Sequence, residues 1–151
     1  MGIKIITQNK KAYHDYFVEE TIEAGISLVG TEVKSLREGK ATISDGYAMF
    51  NNKRDLFLRN THITEYKYGN INNHDALRPR QLLLHRRELK QLFIKKEQRG
   101  YTLIPLKLYF KGSLVKVEIG LCRGKRQYDK RDALRKKESK KRMEKILKTR
   151  R

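Results

Sequence analysis

The chain has no tryptophan, one cysteine and two prolines, and it contains no run near the 18 or so apolar residues of a membrane-spanning helix. Basic amphipathic stretches interleaved with aromatics are also missing, so no membrane partner is expected. Cys122 alone cannot close an internal disulfide or build a thiolate metal site, and a small apolar filler is its expected role. That usage fits a reducing, cytoplasmic setting. The opening MGIKIITQNKK is too short in its apolar part for a secretory signal, and Ile6 spoils a myristoylation motif.

Catalytic patterns are lacking as well. The four histidines, His14, His62, His74 and His85, sit in no HExxH or Cys-x-x-Cys context, so no metal is expected. Gly120-x-x-x-Gly124-Lys125 is one residue short of a phosphate loop and carries Arg126 where Ser or Thr is required. With no Gly-x-Ser-x-Gly elbow and no nucleophilic cysteine motif, the expectation is a protein without enzyme activity, cofactor or small-molecule substrate.

Acidic residues are scarce: 17 Asp and Glu stand against 36 Lys and Arg, a formal charge of +19. Such an excess calls for a polyanionic partner, and eight tyrosines and five phenylalanines supply surfaces on which bases stack. Nucleic acid is the partner that uses both. At 151 residues and 38% hydrophobic content the chain suits one modest core plus a tail.

In the strand read from Tyr13 to Leu28 the even positions from Tyr16 on, Tyr16, Val18, Ile22, Ala24, Ile26 and Leu28, keep one apolar phase, broken only by Glu20. That is a half-buried strand, and it leaves Phe17, Glu19 and Glu23 on the opposite, exposed face. An exposed carboxylate in a basic surface accepts hydrogen bonds from base amino groups, which selects sequence where lysines supply only attraction. Thr31 is a plausible N-cap and Gly39 a left-handed C-cap for about two helical turns. Ala41 to Phe50 and Asp55 to Thr64 read as a hairpin around Asn51-Asn52-Lys53, and Tyr66 to Arg80 as a long surface loop. Gln81 to Lys96 has a helical stripe of Leu82, Leu89, Leu92 and Phe93. Three consecutive leucines cannot share one face of a helix, so at least one of Leu82, Leu83 and Leu84 is expected at the surface. Tyr101 to Phe110 and Leu114 to Leu121 form a second hairpin, with Pro105 at an edge or bulge.

These elements predict a mainly β fold: a small antiparallel Greek-key barrel of the OB type, with about three helices and a basic C-terminal tail. Residues 1–128 would form the RNA-binding barrel. Residues 129–151 hold twelve Lys or Arg against four acids, a net +8, with five apolar residues. Charge of that density opposes folding in isolation, yet helix propensity is high, so the tail is expected to be disordered when free and helical when bound.

The run NKKAYHDYFVEETIEAGISLVGTEVKSLREGKATISDGY, continued by GNINNH, LLLHRREL, YTLIPLKLYFK, KVEIGLCRGK and YDKR, resembles the SmpB family over nearly the whole chain. That resemblance implies a partner of transfer-messenger RNA in bacterial ribosome rescue. The barrel would hold the transfer-RNA-like part of that RNA, and the pair would enter the decoding site of a stalled small subunit, against its ribosomal RNA. By motif, the resemblance implicates Asn9, Glu23 and Leu83 in RNA binding, with Arg123, Lys125 and Arg126 in the adjacent basic loop. It assigns Tyr128, Asp129, Lys130 and Arg131 to the decoding centre, and Ile146 and Leu147 to the helical part in the messenger channel. Tyr128 stands where some members have histidine, which favours stacking over protonation there.

Three other classes compete. An OB-type ribosomal or initiation protein would bind ribosomal RNA alone. A general RNA chaperone would show affinity set by phosphate count, and a nuclease would need a hydrolytic site around Asp45 or Asp55.

Overall fold

The barrel forms around one long strand. A computed structural model describes residues 2–69 and 73–125. Among them the order is β1 (Ile3–Gln8), α1 (Lys10–Asp15), β2 (Tyr16–Ile26), α2 (Gly30–Arg37), β3 (Ala41–Thr42), β4 (Tyr47–Phe50), β5 (Leu56–Arg59), β6 (His62–Ile63), β7 (Arg80–Leu83), α3 (Arg86–Arg99), β8 (Thr102–Lys111) and β9 (Leu114–Gly124). The mainly β, antiparallel architecture with three helices agrees with the sequence expectation. The expected boundary at residue 128 and the tail 129–151 lie outside the described residues.

The main sheet runs β1-β8-β4-β5-β7-β2-β9, and β9 pairs back onto β8, which closes six strands into a ring, with β1 paired along the C-terminal half of β8. β3 and β6 make a separate two-stranded ribbon. The hairpin of β8 and β9 turns at Gly112, whose φ of 64° is a left-handed conformation that favours glycine. Leu56, Leu58, Leu82, Leu103, Leu108, Val117 and Ile119 fill the ring interior, while a second cluster of Ala12, Ile104, Leu106 and Cys122 packs beneath α1.

Two bulges divide those cores. In β8 the register against β9 shifts between Pro105 and Lys107, so Leu103 faces the ring, Ile104 and Leu106 face α1, and Leu108 faces the ring again. Pro105 thus sits at a bulge, as its missing N–H requires. In β2 the register shifts between Val18 and Glu20. The single even phase of the sequence therefore serves two cores: Tyr16 and Val18 pack with Leu106 and Cys122, and Ile22, Ala24 and Ile26 with the ring. Glu20 marks the changeover and pairs with Lys95 of α3 at 3.0 Å. Cys122 is fully buried as a filler, and burial pushes its thiol up to about 11.

Several expected elements differ. The strand expected from Tyr13 begins at Tyr16, because Tyr13 to Asp15 belong to α1, which Asn9 caps through the Ala12 N–H at 3.0 Å. Thr31 lies within the first turn of α2; the N-cap is Val29, which has no capping oxygen, and Glu32 accepts its N–H at 2.9 Å instead. Ala41 to Phe50 splits into β3 and β4, and Asp55 to Thr64 into β5 and β6, each pair divided between the two sheets. Residues 81–83, expected as helix, and Arg80, expected as the end of the loop, form β7. Their backbone pairs with β5 on one side and β2 on the other, filling the gap that closes the ring, so strand pairing overrides a helical preference. Helix α3 then starts at Arg86 and ends at Gly100, whose φ is 67°.

Candidate nucleic-acid interface

The outward face of β2 runs from Phe17 to Gly25, a reach of about 26 Å at 3.3 Å per residue. Basic residues collect at its start. Arg123 lies opposite Phe17 on β9, and its Nε pairs with Glu19 at 3.3 Å while its guanidinium lies 5.5 Å from the Tyr101 ring centre. Tyr101 in turn donates its hydroxyl to Glu19. Lys125 Nζ donates to the Tyr13 carbonyl at 3.0 Å and lies 5.2 Å from the Phe17 ring centre. Arg123 is thus aimed by an acidic and an aromatic neighbour, and Lys125 by a carbonyl and an aromatic ring, a geometry suited to phosphate.

The carboxylate at the other end is differently equipped. Glu23 faces Glu118 directly across β9, a like-charge pair that Lys111 relieves at 3.3 Å from Glu23 and Lys107 at 3.7 Å from Glu118. Tyr109 donates its hydroxyl to the other Glu23 oxygen. That hydrogen bond first, then Lys111, holds the Glu23 carboxyl below its ordinary range although burial opposes them; burial and Glu23 together push the Tyr109 phenol up. Glu23 is therefore an ionised acceptor at neutral pH, with lone pairs left for further donors. Its side chain remains 37% exposed.

Leu83 joins Glu23 through the pairing of β7 with β2, where Gly25 lies opposite Leu83. A methyl at Gly25 would come 3.3 Å from the Leu83 Cβ, so the glycine lets the leucine lie close across β2. Glu23, Gly25, Leu83, Leu84, Leu114 and Lys116 line one open groove of roughly 740 Å³. Leu83 is 51% exposed, as expected, though on a strand: Leu82 points inward and Leu83 outward by simple alternation. The groove offers apolar contact for a base face beside an acceptor for base amino groups.

Asn9 is not part of this surface. It is 1% exposed, its Nδ2 donates to the carbonyls of Pro105 at 2.9 Å and Ile43 at 3.3 Å, and its Oδ1 caps α1. The structure therefore brings Glu23 and Leu83 together, places Arg123 and Lys125 at the far end of the same strand, and turns Asn9 inward. Arg126, Tyr128, Asp129, Lys130, Arg131, Ile146 and Leu147 lie outside the described residues. Sequence reasoning missed Tyr109, Lys111 and Tyr101, the groups that orient the site. For Tyr109 and Lys111 the parity of β8 beyond the Pro105 bulge carried that signal, but the bulge position follows only from pairing; Tyr101 precedes β8, and nothing in its parity gave it away. Of the nuclease candidates, Asp45 pairs with Lys11 at 3.3 Å and Asp55 sits at the β4–β5 turn, where its N–H bonds Asn51. Among the described residues no group of three metal-binding side chains converges, and no helix is long and apolar enough to cross a membrane.

Comparison with known proteins extends the pattern to the whole chain. The family model "SmpB protein" matches residues 6–149. An SsrA-binding protein of Pelobacter propionicus is 51% identical over 149 residues, covering 99% of this chain and 97% of that one. Another, from Alkaliphilus oremlandii, is 54% identical over 149 residues, covering 99% and 96%. A solved structure described as "tmRNA-SmpB: a journey to the center of the bacterial ribosome" is 49% identical, with a TM-score of 0.66, covering 79% of this chain and 83% of that chain. Matched over both the barrel sequence and the basic tail, the chain belongs to the SmpB family.

Proposed function

We propose that the protein binds the transfer-RNA-like part of transfer-messenger RNA and delivers it to stalled ribosomes for trans-translation. The observation that carries this reading is the family match through residue 149, together with relatives at about half identity whose name is SsrA-binding protein. The β2 face supplies a means. Arg123 and Lys125 hold phosphates at one end, and Glu23 beside Leu83 receives a base at the other, so that charge attracts and the carboxylate selects. Asn9 serves the same surface indirectly, by fixing α1 and the β8 bulge from which that face is built.

Residues 129–151 act in a second step. Free, the tail repels itself; laid along ribosomal RNA it becomes a helix of about 35 Å, with Ile146 and Leu147 on one side. Tyr128, Asp129, Lys130 and Arg131 sit in the decoding centre in place of a codon and anticodon stem, with Tyr128 stacking. Arg126 continues the basic loop. The protein works in the cytoplasm by positioning RNA and makes or breaks no bond itself.

Ending the chain after Gln127 tests the division. Binding of transfer-messenger RNA is expected to stay within about threefold, while peptide tagging on stalled ribosomes falls to background. Loss of RNA binding on truncation contradicts the two-step reading.

A further inference from the structure

Away from the β2 groove, the loop after β6 carries a second aromatic and cationic cluster. Tyr68 is 71% exposed, the most exposed large aromatic or apolar side chain among the described residues. Its ring meets Tyr66 edge-on at 5.6 Å and 69°. Lys67 Nζ lies 5.7 Å from the Tyr68 ring centre, and Lys34 of α2 lies 5.5 Å from that of Tyr66. The acids of the loop after β6 are Glu65 and Asp75, and Asp75 accepts the Leu77 N–H at 3.0 Å.

The cluster is built rather than loose. Asn73 accepts the Tyr66 N–H at 3.2 Å and donates to the Tyr66 carbonyl at 2.7 Å, stapling the two arms of the loop. A Cβ on Gly69 would fall 2.5 Å from Asn73 Nδ2, so the turn closes tightly on that staple. His74 anchors the next position: Nε2 donates to the Ile63 carbonyl at 2.8 Å and Nδ1 meets the Thr31 hydroxyl at 2.9 Å. An open tyrosine backed by a second ring, with an ammonium beside each, has the composition of a base-stacking platform with phosphate contacts at its edge.

We propose that Tyr68, backed by Tyr66 and flanked by Lys34 and Lys67, is a second RNA-binding site, which stacks one unpaired base and holds its neighbouring phosphates. It shares no residue with the Glu23–Leu83 groove and stands whether or not that groove receives transfer-messenger RNA. A strand too short to span both sites occupies this one.

Because the chain has no tryptophan, Tyr68→Trp places a single indole in the platform. The probe is an eight-residue oligoadenylate at about 0.15 M salt, with inorganic polyphosphate as a base-free polyanion and Tyr47→Trp as an indole outside the cluster. Oligoadenylate is expected to quench the indole at position 68 by at least half, with little change at position 47 and little effect of polyphosphate. Tyr68→Ala is expected to weaken oligoadenylate binding about tenfold and Tyr68→Phe less than twofold, since one stacked base commonly accounts for about 5- to 150-fold. Glu23→Ala, added to Tyr68→Trp, should leave the quenching intact, which separates this site from the groove. Absence of quenching at position 68, or equal quenching by polyphosphate, overturns the proposal.

Discussion

At the residue scale, two buried polar side chains carry more of the fold than their types suggest. Asn9 uses both donor hydrogens and its acceptor on backbone partners, so Asn9→Ala removes a donor from the Pro105 carbonyl, leaves the Ile43 carbonyl to the Gly46 N–H and uncaps α1 at once. A loss of about 2–4 kcal/mol is expected by chemical unfolding, combining a lost cap with unsatisfied buried groups. Transfer-messenger RNA affinity of the folded fraction should fall far less than for Glu23→Ala. Glu32 is fully buried between Arg80 and Arg78, with Arg78 at 2.6 Å. Burial alone would raise its carboxyl, but the hydrogen bonds from Arg78, the Val29 N–H and Arg80 outweigh it and hold the group below its usual value. A carboxyl that ionises lower in the folded state stabilises fully above its unfolded value of about 4.3, and that stability is lost as pH falls through the folded value. Thermal melts from pH 6 to 3 should show a shallower acid-side decline in Glu32→Gln than in the native chain. Near pH 7 the variant should be less stable by about 3–5 kcal/mol, because it leaves Arg80 as an uncompensated buried charge. The exposure of Glu23 and Leu83 was legible in the sequence from parity and from the three adjacent leucines. The burial of Glu32 was not, since a carboxylate in a first helical turn normally faces water and its partner Arg80 lies 48 residues away.

At the element scale, hairpins, the Leu89, Leu92 and Phe93 part of the helical stripe and the glycine helix ends were legible because each rests on local chemistry: period, turn residues, left-handed φ. What escaped was set by pairing. β7 reads as helix until β5 and β2 are both beside it, and the long loop reads as loose until Arg80 donates to the carbonyls of Thr61 at 2.7 Å and Ala76 at 3.2 Å. The β8 bulge is similar: proline foretold an irregularity, while only the register against β9 shows that it turns Ile104 and Leu106 toward α1. Gly120 makes that packing possible, for a methyl there would lie 2.9 Å from Leu106 Cδ1 and 3.0 Å from Cys122 Sγ, both fully buried. Gly120→Ala should therefore destabilise by about 1–3 kcal/mol through overpacking, read as a lower denaturation midpoint with an unchanged slope. The double variant with Leu106→Ala should lose less than the sum of the two single losses if the clash is the cause; additive losses would contradict it.

At the scale of the whole molecule, the charge of +19 draws the protein to any RNA, and selectivity has to come from the few groups that do more than attract. On the proposed reading those groups lie on the β2 face, where Tyr109 and Lys111 fix an ionised Glu23 near Leu83. Composition made the polyanionic partner legible, and motif resemblance its identity; the orientation of the site required four strands in register, β7, β2, β9 and β8. The most direct test is competition binding to labelled transfer-messenger RNA at about 0.15 M salt, which suppresses non-specific attraction, with excess bulk transfer RNA present. The native chain is expected to hold its RNA against the competitor, and Glu23→Ala to lose at least tenfold in apparent affinity. Free displacement of the native chain by bulk transfer RNA, with no effect of Glu23→Ala, would contradict a selective β2 site and leave charge alone as the basis of binding.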